Sequence, residues 1–93
     1  MLLIDFDPAK SARNEHERGI AFGRFVEMDF DTAIAIEDAR QDYGERRLRV
    51  LGTIEGTLHA AVITPRGEVI RVISLRRANK REERAYAKAR QSS

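Results

Sequence analysis

The chain lacks cysteine and tryptophan, and among its 93 residues it has only two histidines and two prolines. Without cysteine it forms neither disulfides nor thiolate metal sites, which fits an intracellular protein. The histidines, His16 and His59, are too few to build a metal site without carboxylate ligands. Only four apolar residues precede Asp5, too few for a signal peptide or a membrane span. These absences predict a cytoplasmic protein that binds neither metal nor membrane.

The composition is typical of one globular domain spanning residues 1–93, with 42% hydrophobic and 34% charged residues. The net charge of +2 conceals a gradient along the chain. Residues 1–45 carry five basic and eleven acidic side chains, whereas residues 66–93 carry nine basic and three acidic ones. This asymmetry favours a nucleic acid as the partner. A solvated, charged surface is the alternative explanation of the same pattern.

Cap and turn signals divide the chain into two helices, four strands and a final helix. A helix is predicted from Pro8 to about Arg18, because Asp7 is typical of an N-cap and Gly19 of a helix end. The other predicted elements are a short helix at 22–28 that buries Phe22, Phe25 and Val26, strands at 32–38, 46–54, 57–64 and 68–74, turns at 42–45, 55–56 and 64–67, and a C-terminal helix. The predicted fold class is α+β, with two N-terminal helices, a four-stranded antiparallel meander sheet and a C-terminal helix.

Two-residue loops in the last two hairpins would determine the strand register. Ile54 then pairs with Thr57 across the first turn, and Arg71 pairs with Ala60 across the second. One face collects Leu48, Val50, Ile54, His59, Ala61, Ile63, Ile70 and Val72, and the other collects Arg47, Arg49 and Arg71 with Leu51, Leu58, Ala60, Val62, Val69 and Ile73. The first face is the predicted core under the two N-terminal helices, and the second is a predicted binding surface. A one-residue bulge would exchange part of the two sets.

Further arginines lie at both ends of that second face. Arg66 falls in the second turn, and Arg76 and Arg77 fall at the opposite end of the sheet. Guanidinium groups match the geometry of phosphate and stay charged at any working pH. Salt bridges to the acidic N-terminal half explain the same pattern equally well. Arg71 is the sharpest candidate, because the short side chain of Ala60 leaves room for a guanidinium above the sheet.

Three other residues have a structural explanation beside a catalytic one. Glu82 follows Asn79 by three positions, which is the spacing of a capping pair at the start of a helix. Tyr86 lies one turn beyond Glu82 on the same helix face, where it would anchor the helix against the sheet. His59 falls on the apolar face, so a packed histidine is favoured over a catalytic one.

Two stretches, "FDPAKSARNEHERGIAF" and "DYGERRLRVLGTIEGTLHAAVITPRGEVIRVISLRRANKREERAYAKA", together resemble the BrnT toxins, ribonuclease members of the wider RelE and ParE toxin group. The resemblance covers the chain from about Asp5 to Ala89. Its most specific part is "TPRGEVIRVISLRRAN" followed by Glu82 and Tyr86. The chain departs from the family pattern where many members have Lys-His-Gly in place of residues 17–19, and it has no tryptophan near Phe6.

The resemblance implies a RelE-like toxin that cleaves RNA, stops translation and is held inactive by a BrnA-like antitoxin of a type II pair. It also implies that the antitoxin is a dimeric DNA-binding protein. The complex is then expected to be a heterotetramer that binds operator DNA and represses its own operon. The residues that match the family's motifs as catalytic groups are Glu45, Arg47, Arg66, Arg71, Arg76, Glu82 and Tyr86, and the further cations predicted to bind RNA are Lys10, Arg49, Arg77 and Lys80. No cofactor or metal is expected.

RNA supplies its own nucleophile, the 2′-hydroxyl, so a ribonuclease needs a base, cations for the charge at phosphorus and an acid. Arginines can supply the cations without a metal ion. The predicted base is Glu45 or Glu82, and the predicted acid is Tyr86 or an arginine acting electrostatically. The first alternative is a noncatalytic module that binds RNA or an acidic protein segment through the same arginines. The second is a toxin of the same fold that inhibits DNA gyrase, as ParE relatives do.

Overall fold

A computed structural model describes residues 2–91 of the protein. Its elements are strand β1 (Leu3–Asp5), helix α1 (Pro8–Arg18), a 3₁₀ helix (Phe22–Glu27), strands β2 (Ile34–Glu37), β3 (Leu48–Ile54), β4 (Thr57–Arg66) and β5 (Val69–Arg77), and helix α2 (Lys80–Gln91). The strands form one sheet in the order β1-β5-β4-β3-β2. The α+β class and the antiparallel meander β2–β5 are therefore confirmed. Within residues 2–91, no helix has the length and apolar character needed to cross a membrane.

The sheet has one strand more than the four that the sequence predicted. Leu3–Asp5 pairs in parallel with β5, so that Leu3 lies opposite Val69 and Asp5 opposite Arg71. Three residues are too few to show the alternation that identifies a strand. Their partner is also 66 positions away along the chain, and only the folded sheet brings the two together.

The second predicted helix is a six-residue 3₁₀ helix, and the prediction that Val26 is a core residue is wrong. Phe22 and Phe25 are buried, whereas Val26 is 46% exposed. A 3₁₀ helix has three residues per turn, so the side chains at positions 22 and 25 share an edge and the one at 26 points away. Met28 follows and packs against Gly52, where an added Cβ would lie only 2.5 Å from the Met28 sulfur.

The boundaries predicted for helix α1 are confirmed, but its contacts differ from the expected apolar ones. Among the described residues of α1, only Ser11 is buried. The Ser11 hydroxyl accepts a hydrogen bond from the Phe22 amide. Asn14 donates to the carbonyls of Ile20 and Leu75 at 2.7 Å each. Helix α1 therefore docks through hydrogen bonds, while the apolar cover of the sheet comes from the 3₁₀ helix and its flanking residues.

The register of the first hairpin is confirmed and that of the second is wrong. Ile54 lies opposite Thr57 as predicted, but β4 continues to Arg66 and Arg71 lies opposite Thr64, not Ala60. The turn is therefore at residues 67–68, beyond the predicted one. Pro65 is tolerated in β4 because the pairing with β3 has already ended at Ile63.

A β-bulge in β5 exchanges the two sheet faces beyond Ile73. Val72 lies opposite Ile63, but the next pair joins Ser74 to Val62, which leaves Ile73 as the extra residue. The core face of the sheet, packed against Phe22, Phe25 and Met28, carries Val50, Ile54, Ala61, Ile63, Val72 and Leu75, with Leu48 and Ile70 partly buried beside them. The predicted core positions are thus confirmed, and the bulge adds Leu75 to them.

Candidate functional site

The sheet face opposite the core carries arginines on two strands, and we call it the arginine face. Arg49 lies on β3 opposite Val62, and Arg71 and Arg76 lie on β5. Arg71 precedes the bulge and Arg76 follows it. Because of the bulge, both guanidinium groups belong to the same face although five positions separate them in the chain. A strict alternation would have put them on opposite faces.

Helix α2 lies over part of the arginine face and leaves a pocket of about 220 Å³ between helix and sheet. The pocket is lined by the apolar Ile36, Val50, Leu51, Ala60, Ala61, Val62 and Ala85, by Ser74 and Glu82, and by the cations Arg40, Arg49, Arg76 and Arg81. Three of the predicted site residues, Arg49, Arg76 and Glu82, meet here. Arg40 and Arg81 were not among the predicted site residues: Arg40 lies outside the two stretches that resemble the toxin family, and Arg81 lies within the second but was assigned no role there.

Arg76 and Glu82 form the best-defined ion pair of the pocket. Arg76 donates from Nη1 and Nη2 to the two carboxylate oxygens at 2.7 and 2.9 Å. These bonds raise the pKa of Arg76 and lower the pKa of Glu82 from its usual value. A carboxylate held in this way binds a proton weakly, so Glu82 is a poor base while Arg76 occupies it.

Glu82 also forms the capping pair predicted for the start of α2. The Asn79 amide donates to Glu82 Oε1 at 2.9 Å, and the Glu82 amide donates to Asn79 Oδ1 at 2.8 Å. Further along, the Tyr86 hydroxyl donates to the Thr32 carbonyl at 3.1 Å, so Tyr86 anchors the helix to the turn before β2, where an anchor against the sheet was considered. No described residue of α2 is buried. The helix is therefore attached to the sheet largely through polar contacts, and its cations stay accessible to a ligand.

The loop before β3 holds a buried carboxylate that the sequence analysis did not single out. The Asp38 side chain is only 1% exposed. Arg40 donates to it from Nε and Nη2 at 2.7 Å each, and the Tyr43 hydroxyl donates at 3.3 Å. The guanidinium of Arg40 holds the pKa of Asp38 well below its usual range. An Asp-x-Arg spacing in a polar loop is common, so only the burial of Asp38 distinguishes this pair.

The remaining predicted catalytic residues lie toward the other end of the arginine face. Arg47 stacks on the Tyr43 ring, 4.1 Å from its centroid. The carboxylate of Glu45 pairs with Arg66 at 3.2 Å, and Arg71 pairs with Asp5 across β1 and β5.

Arg71 and Arg76 are five residues apart on β5, which corresponds to about 16 Å along a strand. The structure therefore divides these predicted catalytic residues into two groups along the face, one around Arg66 and Arg71 and one around Arg76 and Glu82. The Arg71–Asp5 pair is the salt bridge to the N-terminal half that was the alternative explanation for Arg71.

The other predicted RNA-binding cations are scattered. Lys10 is exposed near the start of α1 and Lys80 at the start of α2. Arg77 lines a separate pocket of about 220 Å³ with Arg24 and His59, because the bulge turns Arg77 toward the core side. His59 is 7% exposed, and its Nδ1 lies 2.7 Å from the Thr57 carbonyl. The prediction of a packed histidine is confirmed.

Residues 2–91 contain no group of three or more histidine, aspartate or glutamate side chains arranged to hold a metal ion. The pocket is instead surrounded by four arginines and one paired glutamate. The chemistry that this arrangement can perform is the binding and neutralisation of anionic oxygens.

Comparison with protein families identifies one match, described as the ribonuclease toxin BrnT of type II toxin-antitoxin systems, over residues 6–82. A search of curated proteins found no match. The matched segment includes the loop with Asp38 and Arg40, the arginine-bearing strands and the Arg76–Glu82 pair, but it ends before Tyr86. Because the match covers most of the chain and includes the residues around the pocket, this protein belongs to the BrnT family of ribonuclease toxins of type II toxin-antitoxin systems.

Proposed function

We propose that the protein is a cytoplasmic, metal-independent endoribonuclease that inhibits translation by cutting RNA at the α2 pocket. The observation that carries this proposal is the convergence of four guanidinium groups, Arg40, Arg49, Arg76 and Arg81, around one pocket. Together with the family match, these cations favour RNA over an uncharged ligand. Removal of one preorganised group of this kind lowers catalysis by about 100- to 1,000-fold.

The arginines stabilise the negative charge that develops at phosphorus when the 2′-hydroxyl attacks. In the free protein Arg76 is held at the pocket by Glu82, at 2.7 and 2.9 Å, so the cation is in place before RNA binds. Arg49 is exposed and makes no hydrogen bond within residues 2–91, which leaves its N–H groups available to a phosphate oxygen. The same cations stabilise the departing 5′-oxygen electrostatically.

Glu82 is the carboxylate that lines the pocket with these cations, and we assign it the role of base. A phosphate that replaces Glu82 at Arg76 removes the contact that lowers the pKa of Glu82. The pKa then rises toward its ordinary value, and the freed carboxylate accepts the 2′-hydroxyl proton more readily. The variant Glu82→Gln tests this role, because a neutral amide can still accept from Arg76. Cleavage at the wild-type rate by Glu82→Gln would remove Glu82 as the base.

We assign the predicted arginines outside the pocket, Arg47, Arg66 and Arg71, to binding the RNA strand on either side of the cleaved nucleotide. These three arginines extend the cationic surface beyond the pocket, which none of them lines. Glu45 pairs with Arg66 there, and it serves to orient that arginine. Tyr86 anchors α2 through Thr32.

The decisive experiment is an RNA cleavage assay with purified protein, in the presence and absence of EDTA. We expect cleavage in both conditions, because the proposed site contains arginines in place of metal ligands. Loss of cleavage in EDTA and its return with added metal would overturn the metal-independent mechanism. RNA binding without cleavage would indicate the noncatalytic module, and inhibition of gyrase supercoiling without RNA cleavage would indicate the ParE-like activity.

We further propose that a BrnA-like antitoxin covers the arginine face and forms a heterotetramer that binds operator DNA. The face combines exposed cations with apolar residues, which is the composition of an interface with an acidic partner segment. Arg49→Glu should weaken the complex in a calorimetric titration with the antitoxin. Arg13→Glu, an equal charge reversal on α1, should leave it unchanged. Equal affinity of both variants would place the antitoxin elsewhere.

A further inference from the structure

Arg40 is an exposed arginine whose guanidinium is held by a bidentate ion pair. Its side chain is 61% exposed, whereas its partner carboxylate on Asp38 is 1% exposed. Surface ion pairs are usually mobile because both side chains must be ordered at once. Here one partner is already ordered by its burial, and Arg40 donates to both of its oxygens at 2.7 Å. The guanidinium therefore has a defined position at the pocket.

The Asp38–Arg40 pair leaves part of the Arg40 guanidinium without a partner. An arginine has five N–H groups, and the Asp38 carboxylate takes one from Nε and one from Nη2. The positive charge of Arg40 also acts on Arg76 and lowers the pKa of Arg76, against the larger effect of Glu82. Two guanidinium groups held this near to one another favour an anion between them.

The floor of the pocket is apolar. Leu51, Ala60 and Val62 come from the sheet, and Ala85 comes from α2. A volume of about 220 Å³ is well below the 300–1,000 Å³ of pockets that hold drug-sized ligands. The space fits a single planar group such as a nucleobase better than a segment of polypeptide. Proteins that bind single strands combine a cationic groove with a surface that receives the base, usually an aromatic ring, and here the aliphatic floor takes the place of that ring.

We propose that the α2 pocket is a subsite for one unpaired RNA nucleotide, in which Arg40 and Arg49 bind the phosphate and the apolar floor receives the base. Asp38 is the positioning residue for Arg40. This subsite rests on the proposed ribonuclease function and adds a preference for single-stranded RNA. Double-stranded RNA keeps its bases stacked and paired, so it offers the pocket no base to bind.

The phosphate contact is tested by the affinity for a short single-stranded 2′-O-methyl RNA, which lacks the nucleophile and is not cut. Arg40→Gln should bind this RNA about 10-fold more weakly, the effect of losing one charge-assisted contact. Arg46→Gln is the matched control, because Arg46 is 63% exposed and ion-paired to Glu37 but does not line the pocket. Equal affinities of the two variants would overturn the role of Arg40.

The positioning role of Asp38 is tested by a double-mutant cycle on the same RNA. Asp38→Asn should weaken binding, because Arg40 loses its charged partner. In the Arg40→Gln background the same substitution should have no further effect, since its consequence is transmitted through Arg40. Additive losses in the double variant would mean that Asp38 acts only through the stability of the loop.

The base-binding role of the floor is tested with a second RNA of the same length whose nucleotides lack bases. The wild type should prefer the RNA with bases by about 10-fold, the scale of one buried base. Ala85→Leu fills the pocket from the α2 side and should abolish this preference. Ala87→Leu, on the same helix but outside the pocket, should retain it. Equal binding of both RNAs by the wild type would overturn the subsite.

These binding measurements are independent of cleavage. If the protein cuts RNA while Arg40→Gln and Ala85→Leu bind like the wild type, the subsite is wrong and the ribonuclease function stands. If the wild type prefers RNA with bases but cuts no RNA, the ribonuclease function is wrong and the subsite stands.

Discussion

The two faces of the sheet differ most clearly at two adjacent residues, Leu75 and Arg76. Leu75 is fully buried beneath the 3₁₀ helix, whereas Arg76 lines the pocket beneath α2. One strand therefore supplies both the apolar core and the cationic site at consecutive positions. The bulge at Ile73 sets which residue takes which face. The comparison shows how a single-residue irregularity assigns stability and function to opposite sides of one strand.

The two faces are also covered in different ways. On the core face, Phe22 and Phe25 exclude water and are at most 4% exposed. On the arginine face, α2 contributes no buried residue among those described, and Arg76–Glu82 and Tyr86–Thr32 are its clearest attachments. A core closed by apolar contacts supplies stability, while a face crossed by a polar helix leaves room for an anionic ligand.

The largest expected effect is on stability, from Leu75→Ala. Removal of a fully buried leucine lowers the free energy of unfolding by about 2–5 kcal/mol, because transfer energy is lost and a cavity forms. Chemical denaturation measures this loss. The fraction of protein that remains folded should cut RNA at nearly the wild-type rate, since Leu75 does not line the pocket. A loss of cleavage in the folded fraction would show that the core face contributes to activity as well as to stability.

The neighbouring substitution, Arg76→Ala, should have the opposite profile. We expect cleavage to fall about 100-fold or more, because one preorganised cation is removed. Arg24→Ala is the matched control, since both arginines are ion-paired and 36% exposed but Arg24 belongs to the 3₁₀ helix on the core side. Single-turnover cleavage rates compare the two. Equal losses would show that net charge matters and position does not.

Replacement of Arg71 should lower RNA cleavage less than the strand register predicted from the sequence implied. Because it lies opposite Thr64 and pairs with Asp5, we expect Arg71→Ala to lower cleavage by about 10-fold, as for one flanking phosphate contact. Arg71→Lys should cleave RNA faster than Arg71→Ala but more slowly than the wild type, because lysine keeps the charge and lacks the bidentate guanidinium.

Asp5→Asn separates the two explanations for Arg71, because it frees the arginine from its partner. Because Arg71 and Asp5 form a surface ion pair, Asp5→Asn should lower the free energy of unfolding by less than about 1 kcal/mol. Thermal melts measure this change. A large drop in melting temperature for both Arg71→Ala and Asp5→Asn, with cleavage near normal, would make Arg71 a structural residue.

The smallest expected effect is a change in acid stability from Asp38→Asn. Arg40 holds the pKa of Asp38 below its usual value in the folded state, so this stabilisation is present at neutral pH. Below about pH 4 the unfolded chain takes up a proton that the folded chain does not, and the free energy of unfolding falls. Asp38→Asn should be less stable at pH 7 and lose less stability between pH 5 and pH 3 than the wild type. Asp31→Asn, which alters an exposed aspartate without an ion pair in residues 2–91, should follow the wild-type curve.

The elements that sequence reasoning predicted correctly are governed by neighbours in the chain. Helix α1 follows from the cap at Asp7 and the left-handed glycine at Gly19, and the first hairpin follows from the turn after Ile54. The capping pair of Asn79 and Glu82 is likewise a local signal. Each of these depends on hydrogen bonds within a few residues, which the order of amino acids makes visible.

The elements that were wrong or missing depend on contacts between distant segments. Strand β1 exists because β5 offers it an edge. The second register depends on how far β4 extends past Pro65, and the bulge depends on how both neighbouring strands pack.

The candidate site divides in the same way. The motif arginines were visible in the chain, but the placement of Arg71 and Arg76 on one face by the bulge and the burial of Asp38 were not. Both depend on contacts between segments that are distant in the chain.

Alternating apolar and basic residues, caps and turns were enough to predict an α+β fold with a cationic sheet face, and the resemblance to the BrnT family supplied the toxin function. They specify which residues prefer water and which do not, because hydrophobicity and local hydrogen bonding are properties of short segments. The position of each arginine relative to the others came from the fold. The bulge at Ile73, the carboxylate of Asp38 and the crossing of α2 bring four arginines to one pocket, since long-range packing alone determines which distant side chains meet.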